Sequence, residues 1–167
     1  EACADHHPAC DCREASIAEN HDELVAENRA MYEAIAAAVI DGLGSTPVTL
    51  DGERYVPVNG AAWVRLKVDL LPGGGMSIGA PGARRATRRG VVYAQAFTPY
   101  STDDGTAAGL TLAQTVRALL EGLDITDAAA TEPKTLNFTD ATIRPVRVDG
   151  AWLMATVEAP FTFVEIV

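Results

Sequence analysis

A run of alternating side chains near the middle of the chain constrains its fold more than any other feature. The sequence WVRLKVDLL, within Ala61–Leu71, places apolar and charged residues at successive positions. Successive side chains of a β-strand point to opposite faces of the sheet. The run therefore predicts a strand with one apolar face and one face that carries charge and the Trp63 ring. The apolar positions are Val64, Leu66, Val68 and Leu70, and the charged positions are Arg65, Lys67 and Asp69.

Further strands are expected on both sides of this one. Arg89–Thr98 (RGVVYAQAFT) predicts the second strand, and the clearest hairpin joins Thr142–Val148 to Ala151–Ala159 through Asp149-Gly150. An Asp-Gly pair between strands is a strong hairpin signal. A short hairpin around Asp51-Gly52 and a short strand at Thr135–Phe138 are also predicted. Phe161–Val167 extends the last strand past Pro160, which predicts an edge or a bulge there.

Two helices are indicated by apolar residues that recur every three or four positions. The first pattern runs from about Glu14 to Leu43 and is closed by Gly42 and Gly44. The second is Thr111–Gly122, with Thr111 as a plausible N-cap and Gly122 as a plausible C-cap. The sequence lacks internal repeats and a βαβ rhythm, so it predicts an α+β fold. We expect a mainly antiparallel sheet flanked by two helices, with a long N-terminal helical extension.

Composition limits the class of protein. The chain has 167 residues, 48% of them hydrophobic, and a formal net charge of −10. That length suits one domain with a real core. No apolar run approaches the ~20 residues of a membrane span, and no secretory signal is evident, so we expect a soluble chain made in a reducing cytoplasm. The negative charge argues against general coating of nucleic acid, although one local basic contact remains compatible with it.

The first thirteen residues, EACADHHPACDCR, contain all three cysteines and two of the three histidines. Thiolates and imidazoles at these spacings can form a tetrahedral zinc site. The ligands all lie within ten residues, however, and their spacing matches no standard zinc finger. A terminus that binds no metal is the alternative. The candidate ligands are Cys3, His6, His7, Cys10 and Cys12.

Catalytic constellations are hard to assemble from this sequence. All three histidines lie in the first 21 residues, so a nucleophile–histidine pair would need the N-terminal segment as its base. The chain has no GxSxG, HExxH or Walker motif, and the glycines at 73–75 lack the spacing of a nucleotide-binding loop. We therefore predict no catalytic residues and no enzymatic activity.

A basic cluster gives the best interaction signal. Arg84, Arg85 and Arg88 end a segment, Pro72–Arg88, that is rich in glycine and proline, and Arg89 opens the strand that follows. We expect this segment to be a loop that is mobile in the isolated chain. Long loops in compact domains usually have a function. The arginines could bind phosphate or an acidic protein surface on assembly, or they could simply be a solubilising surface.

From Trp63 onward the sequence resembles the tail terminator-like proteins of long-tailed bacteriophages and prophages. The resemblance rests on the order of several features rather than on one motif, and it covers about residues 28–167. They are the Trp63/Arg65 strand, Arg89-Gly90, Phe97-x-Pro99, Gly105 before the Leu112–Leu120 helix, Gly150-x-Trp152 and Pro160-Phe161. Residues 1–27 depart from the family pattern and would form a separate Cys/His-containing extension that leads into the helix.

The resemblance implies a structural virion protein and no catalytic residues. Family members form a ring of about six copies, which closes when a head-to-tail interface has the right rotation. That ring ends polymerisation of the tail tube and joins the tail to the head and neck proteins. The implied partners are further copies of the chain, the major tail tube protein and the head–tail connector or stopper protein, with DNA in the lumen as a further possibility. Arg84, Arg85, Arg88 and Arg89 would make these contacts.

Two alternatives stay open at the level of sequence. The first is a head–tail stopper or tail-completion protein on the same small scaffold. The second is a small zinc-stabilised binding module built on Cys3–Cys12, for which zinc would be the only cofactor. The implied location is the virion, at the head–tail junction, after assembly in the host cytoplasm and without a membrane.

Overall fold

A sheet of eight strands with two helices on one of its faces makes up the described part of the chain. The computed structural model describes residues 29–58, 60–72, 74–77, 84–100, 105–127 and 134–166. In chain order the elements are α1 (described part, residues 29–43), β1 (Val48–Leu50), β2 (Trp63–Leu71), β3 (Arg85–Pro99), α2 (Gly105–Leu120), β4 (Asp124–Asp127), β5 (Lys134–Phe138), β6 (Thr142–Ile143), β7 (Arg147–Asp149) and β8 (Trp152–Ile166).

The strand order confirms the α+β class. The order is β1-β2-β3-β8-β5-β4, and β6 and β7 pair with β8 as well. All pairs are antiparallel except β1 with β2, so the sheet is mixed. The hairpin expected at Asp51-Gly52 is therefore wrong. The chain does turn there, with Gly52 at φ 87°, but it travels on to Trp63 before it pairs with β1, which makes that pair parallel.

Both helices pack on the same face of the sheet. The buried residues of α1 include Ile35 and Val39, and those of α2 include Val116 and Leu120. They share one cluster with the apolar side chains of β2, β3 and β8. Ala94 and Ala96 of β3 lie opposite β2 residues in this layer, and such small side chains bring the helices close to the sheet. The predicted apolar face of β2 is confirmed for Val64, Leu66 and Val68, whereas Leu70 is 40% exposed.

Helix α2 begins six residues earlier than its pattern suggested, at Gly105. The predicted N-cap at Thr111 is therefore wrong: its hydroxyl donates to the carbonyl of Ala107 inside the helix, at 2.8 Å. In these added turns Gly109 lies close to the sheet, and a Cβ there would stand 3.1 Å from the hydroxyl oxygen of Thr98.

The predicted helix ends are confirmed. Gly122 (φ 71°) follows α2 and Gly44 (φ 59°) follows α1, which is the left-handed conformation that commonly ends a helix. Gly42 is still inside α1. The predicted residues of the first helix before residue 29 lie outside the described residues.

The final third differs from the sequence pattern in two ways. The Asp149-Gly150 hairpin is confirmed, with Gly150 at φ 60°, but its first strand is split into β6 and β7. Pro160 lies in the interior of the sheet rather than at an edge or a bulge, opposite Val91 of β3. Its carbonyl accepts from the N–H of Thr139 at 3.0 Å, at the point where the neighbour of β8 changes from β6 to β5. No ladder bond needs the missing N–H there.

Candidate interaction surface

The face of the sheet opposite the two helices is here called the open face. At one end it is covered by the segment that carries Tyr55. Alternation along β2, β3 and β8 puts a mostly polar set of side chains on this face. The set runs from an aromatic end, through a polar centre, to an arginine-bearing end. Its members on these strands include Trp63, Arg65, Lys67, Asp69, Arg85, Arg89, Tyr93, Gln95, Phe97, Trp152, Met154, Glu158 and Val164.

The aromatic end is a second, small core. Trp63 stacks on Phe97 with ring centroids 4.1 Å apart, and it also meets Trp152 edge-on at 6.3 Å. Tyr55 covers the cluster from the segment between β1 and β2, with its ring 4.9 Å from Trp63. The sequence assigned the Trp63 ring to the charged face correctly, and the structure shows why it belongs there. The ring is buried against aromatic neighbours from three other parts of the chain.

The centre of the open face holds a depression of about 440 Å³, here called the polar depression. Its lining joins residues of β2 and β3 with the residue that follows β1. The Arg65 Nε donates to the Gln95 side chain at 2.8 Å, and its guanidinium carbon lies 5.3 Å from the Phe97 ring centroid. The lining residues are Asp51, Arg65, Lys67, Asp69, Tyr93 and Gln95.

Charge in the polar depression is mixed. Lys67 donates to Asp69 at 2.9 Å, and this hydrogen bond, with the carboxylate charges of Asp69 and Asp51, raises the pKa of Lys67. Its ammonium group also lies 6.0 Å from the Tyr93 ring centroid. The depression therefore contains two cations and two carboxylates, with Arg65 bonded to Gln95 and Lys67 interacting with both acids.

A further ion pair borders the polar depression on the β8 side. Arg144 donates to Glu158 at 2.7 Å, and this bond raises the pKa of Arg144. Glu158 lies directly opposite Tyr93 across the β3–β8 pair. The centre of the open face thus carries charges of both signs rather than one continuous basic patch, which does not favour a long phosphate backbone as its ligand.

The arginine cluster lies on a strand and not in a mobile loop. Strand β3 begins at Arg85, so Arg85, Arg88 and Arg89 belong to it, and Arg84 immediately precedes it. The expected loop boundary at Arg88 is therefore wrong. The physical reason is pairing: residues 85–88 are held by β8 on one side and by residues 75–77 on the other. Glycine and proline spacing gives no sign of such distant partners.

The four arginines have different environments. Arg85 and Arg89 lie on the open face and are exposed. Arg88 points to the opposite face and donates to Glu165 of β8 at 2.8 Å, with the Glu165 side chain 16% exposed. Arg88 therefore contributes to the fold. Arg84 is also exposed.

Exposed apolar side chains gather at the same end of the sheet. Leu71 is 43% exposed, Met76 59% and Val164 50%. We call this region the arginine end, and it comprises residues 70–71, 75–77, 84–89 and 162–165. Arginine beside exposed methionine and aliphatic side chains is a composition typical of protein–protein interfaces.

The residues that concern metal binding and membrane insertion are only partly described by the structure. Cys3, His6, His7, Cys10 and Cys12 lie outside the described residues, so the zinc site stays a prediction. Within the ranges that the structure describes, no group of three or more His, Cys, Asp or Glu side chains could hold a metal ion. Of the described helices, none has the length and apolar character required to span a membrane.

Sequence reasoning found half of the polar depression. The alternation placed Arg65, Lys67 and Asp69 on one face, which is confirmed. It missed Asp51, which follows β1, and it missed Tyr93 and Gln95, which the β2–β3 register places directly opposite Lys67 and Arg65. The only available signal was the same alternation within the second predicted strand.

Comparison with known proteins supports the fold and leaves the function open. No protein-family model and no curated protein sequence matches the chain. Ten chains of solved structures match it. One of them has a TM-score of 0.58 and 16% sequence identity, and the match covers 84% of this chain and 94% of the other. The name of that protein describes no activity, so the likeness shows a shared architecture over most of both chains.

Proposed function

We propose that this chain is a tail terminator-like subunit, which forms a ring that ends the tail tube and meets the head or neck proteins. The ordered resemblance to that family, from Trp63 to the C-terminus, is the first support for this function. The observation that supports it best is the arginine end, where exposed arginines and exposed apolar side chains lie together. Such a surface at one end of a subunit is suited to a head-to-tail contact with a different surface of the next copy, and a contact of that kind can close into a ring.

The charge balance agrees with self-association through this end. The whole chain carries a net charge of −10, whereas Arg84, Arg85 and Arg89 concentrate positive charge at one place. Complementary potentials guide association and fix the orientation of partners. Avidity around a ring would then make modest contacts between subunits sufficient.

The test compares assembly of three full-length proteins by native mass spectrometry, alone and with tail tubes built from the major tail protein of the same phage. The wild-type chain should give a closed oligomer, near a hexamer, by itself or only on tube ends. Arg85→Ala combined with Arg89→Ala should remain monomeric and leave the tubes uncapped. Arg54→Ala combined with Arg147→Ala is the matched control, since both arginines are exposed and lie outside the arginine end.

Two outcomes would redirect the assignment. A wild-type monomer that ignores tube ends would contradict the terminator function. Binding to the head-side connector protein with no affinity for tubes would favour the stopper alternative on the same scaffold. Arg88 is left unchanged in these variants because its ion pair with Glu165 belongs to the fold.

A further inference from the structure

Arg65 is held in one orientation at the centre of the open face. Its Nε donates to Gln95, the residue directly opposite on β3, and its guanidinium lies against Phe97, which is 3% exposed. Within the described part of the chain, neither terminal nitrogen of this guanidinium has a hydrogen-bond partner. A planar guanidinium fixed at Nε presents its two outer N–H groups as a fork that matches a carboxylate.

A second donor faces the same space. Tyr93 lines the polar depression beside Arg65 and Lys67, and its hydroxyl makes no hydrogen bond to any described residue. Concave sites with a few convergent polar groups are where proteins usually bind ligands. The donors of Arg65 and Tyr93 call for an acceptor-rich group, which an anion supplies.

The carboxylates at the other side of the polar depression limit which anion can enter. Asp69 is hydrogen-bonded to Lys67, and Asp51 is near enough to raise the pKa of the same lysine. A chain of phosphates would place further negative charge beside these acids. A protein segment can instead carry one carboxylate for Arg65 and a neighbouring cation for the acids.

We propose that the polar depression binds the carboxylate of an Asp or Glu side chain on a partner protein, with Arg65 as its receptor. Gln95 and Phe97 orient the guanidinium, Tyr93 donates a further hydrogen bond, and Asp51 and Asp69 select a partner with a basic residue beside that carboxylate. The site is separate from the arginine end, so it would exist whether or not the chain ends tail tubes.

The experiment titrates three probes into the full-length, isotope-labelled chain and follows the Arg65 Nε–H and Gln95 side-chain amide signals by NMR. The probes are acetyl-Glu-Lys-amide, acetyl-Glu-Glu-amide and inorganic phosphate. The Glu-Lys peptide should move both signals to saturation. The Glu-Glu peptide and phosphate should bind several-fold more weakly, because each brings extra negative charge close to Asp51 and Asp69.

Variants separate the roles of the lining residues. Arg65→Lys keeps the charge but removes the forked pair of N–H donors. It should therefore weaken binding of the Glu-Lys peptide about ten-fold, as read from the Gln95 signal. Arg54→Lys is the matched control and should leave affinity unchanged. Asp51→Asn combined with Asp69→Asn should remove the preference for the Glu-Lys peptide over the Glu-Glu peptide.

Three results would overturn the proposal. In the first, neither peptide shifts the signals of the folded wild-type chain. In the others, phosphate binds as tightly as the Glu-Lys peptide, or the Arg65→Lys protein binds that peptide with wild-type affinity. Backbone spectra of each variant establish that it is folded. None of these readouts depends on ring formation, so a failed terminator function and a failed carboxylate site are distinguishable.

Discussion

Gly90 is a residue whose role depends on space rather than on backbone conformation. It lies on β3 opposite Phe161, and a Cβ at this position would stand 2.2 Å from the ring of Phe161. That ring is 1% exposed and also meets Phe138 and Phe163, at centroid distances of 5.3 and 6.2 Å. Because its surroundings are packed, the ring has little room to move away.

Gly90→Ala should therefore destabilise the protein by about 1 to 3 kcal/mol, the range typical of an overpacked core. Chemical denaturation of the purified variant measures this difference. Gly75→Ala is the control, since a Cβ there would meet nothing within 4 Å. Equal stability of the two variants would contradict the packing argument.

The arginines of β3 should differ in their effect on stability. Arg88→Ala removes one ion-pair partner of Glu165, whose side chain is 16% exposed, and because the Arg88 side chain is 42% exposed we expect a loss of about 1 kcal/mol. Arg89→Ala removes an exposed side chain with no ion pair among the described residues, and we expect a change within about 0.5 kcal/mol. Thermal and urea unfolding of both variants check the contrast. A larger loss for Arg89→Ala than for Arg88→Ala would be the opposite result.

At the scale of elements, the sequence pattern and the structure place the start of α2 at different residues, and a substitution at Thr111 can tell the two apart. If Thr111 were an N-cap, its replacement by alanine would cost about 1 kcal/mol. In the structure its hydroxyl bonds to the carbonyl of Ala107 within the helix, an arrangement that slightly disfavours helices. Thr111→Ala should thus leave stability unchanged or raise it by a few tenths of a kcal/mol in a denaturation curve. A loss near 1 kcal/mol would place the helix start at Thr111 after all.

The contact between α1 and β2 should be sensitive to alkaline pH. The Tyr32 hydroxyl donates to the carbonyl of Val68, and burial, followed by the negative charge of Asp69, raises the pKa of Tyr32. A raised pKa means that the folded state holds the proton more tightly than the unfolded state. The stabilisation is complete below the ordinary tyrosine pKa of about 10 and is lost as pH rises through the folded value.

Tyr32→Phe should consequently be less stable than wild type at neutral pH and should lose less stability as pH rises above about 10. Denaturation curves at several alkaline pH values give the free energy of unfolding of each protein and its slope against pH. Tyr100→Phe, at an exposed position, should keep the wild-type slope. Identical slopes for wild type and Tyr32→Phe would remove Tyr32 as the cause.

At the scale of the whole molecule, the core is asymmetric. Its main cluster extends from Met31 to Phe163 and joins both helices to one face of the sheet, while the buried apolar side chains described on the open face form the small aromatic cluster around Trp63. We therefore expect this domain to fold without a bound metal.

A strong zinc chelator should accordingly leave the folded domain intact. The near-ultraviolet circular dichroism of Trp63 and Trp152, which lie in one aromatic cluster, should be the same before and after chelation. Loss of that signal, with recovery on added zinc, would instead support the zinc-stabilised module built on Cys3–Cys12. Metal content from the same samples provides the control.

Local patterns predicted those elements whose causes are local. The alternation of β2 follows from the two-residue period of a strand, and the turn at Asp149-Gly150 follows from the backbone freedom of glycine. The ends of both helices at Gly44 and Gly122 have the same origin. Prediction failed where distant partners are involved: β3 starts at Arg85, where β8 and residues 75–77 pair with it, and the first turns of α2 lie against the sheet, with Gly109 close to Thr98.

The sequence by itself determined the α+β class, the apolar and charged faces of β2 and the presence of an arginine cluster. Each of these follows from residue order over a few positions. Tertiary structure alone decided which side chains meet. Arg65 and Gln95 are thirty positions apart, and Arg88 and Glu165 seventy-seven, yet each pair forms a hydrogen bond of 2.8 Å. Strand register sets such contacts, and register is a property of the assembled sheet that no local period contains.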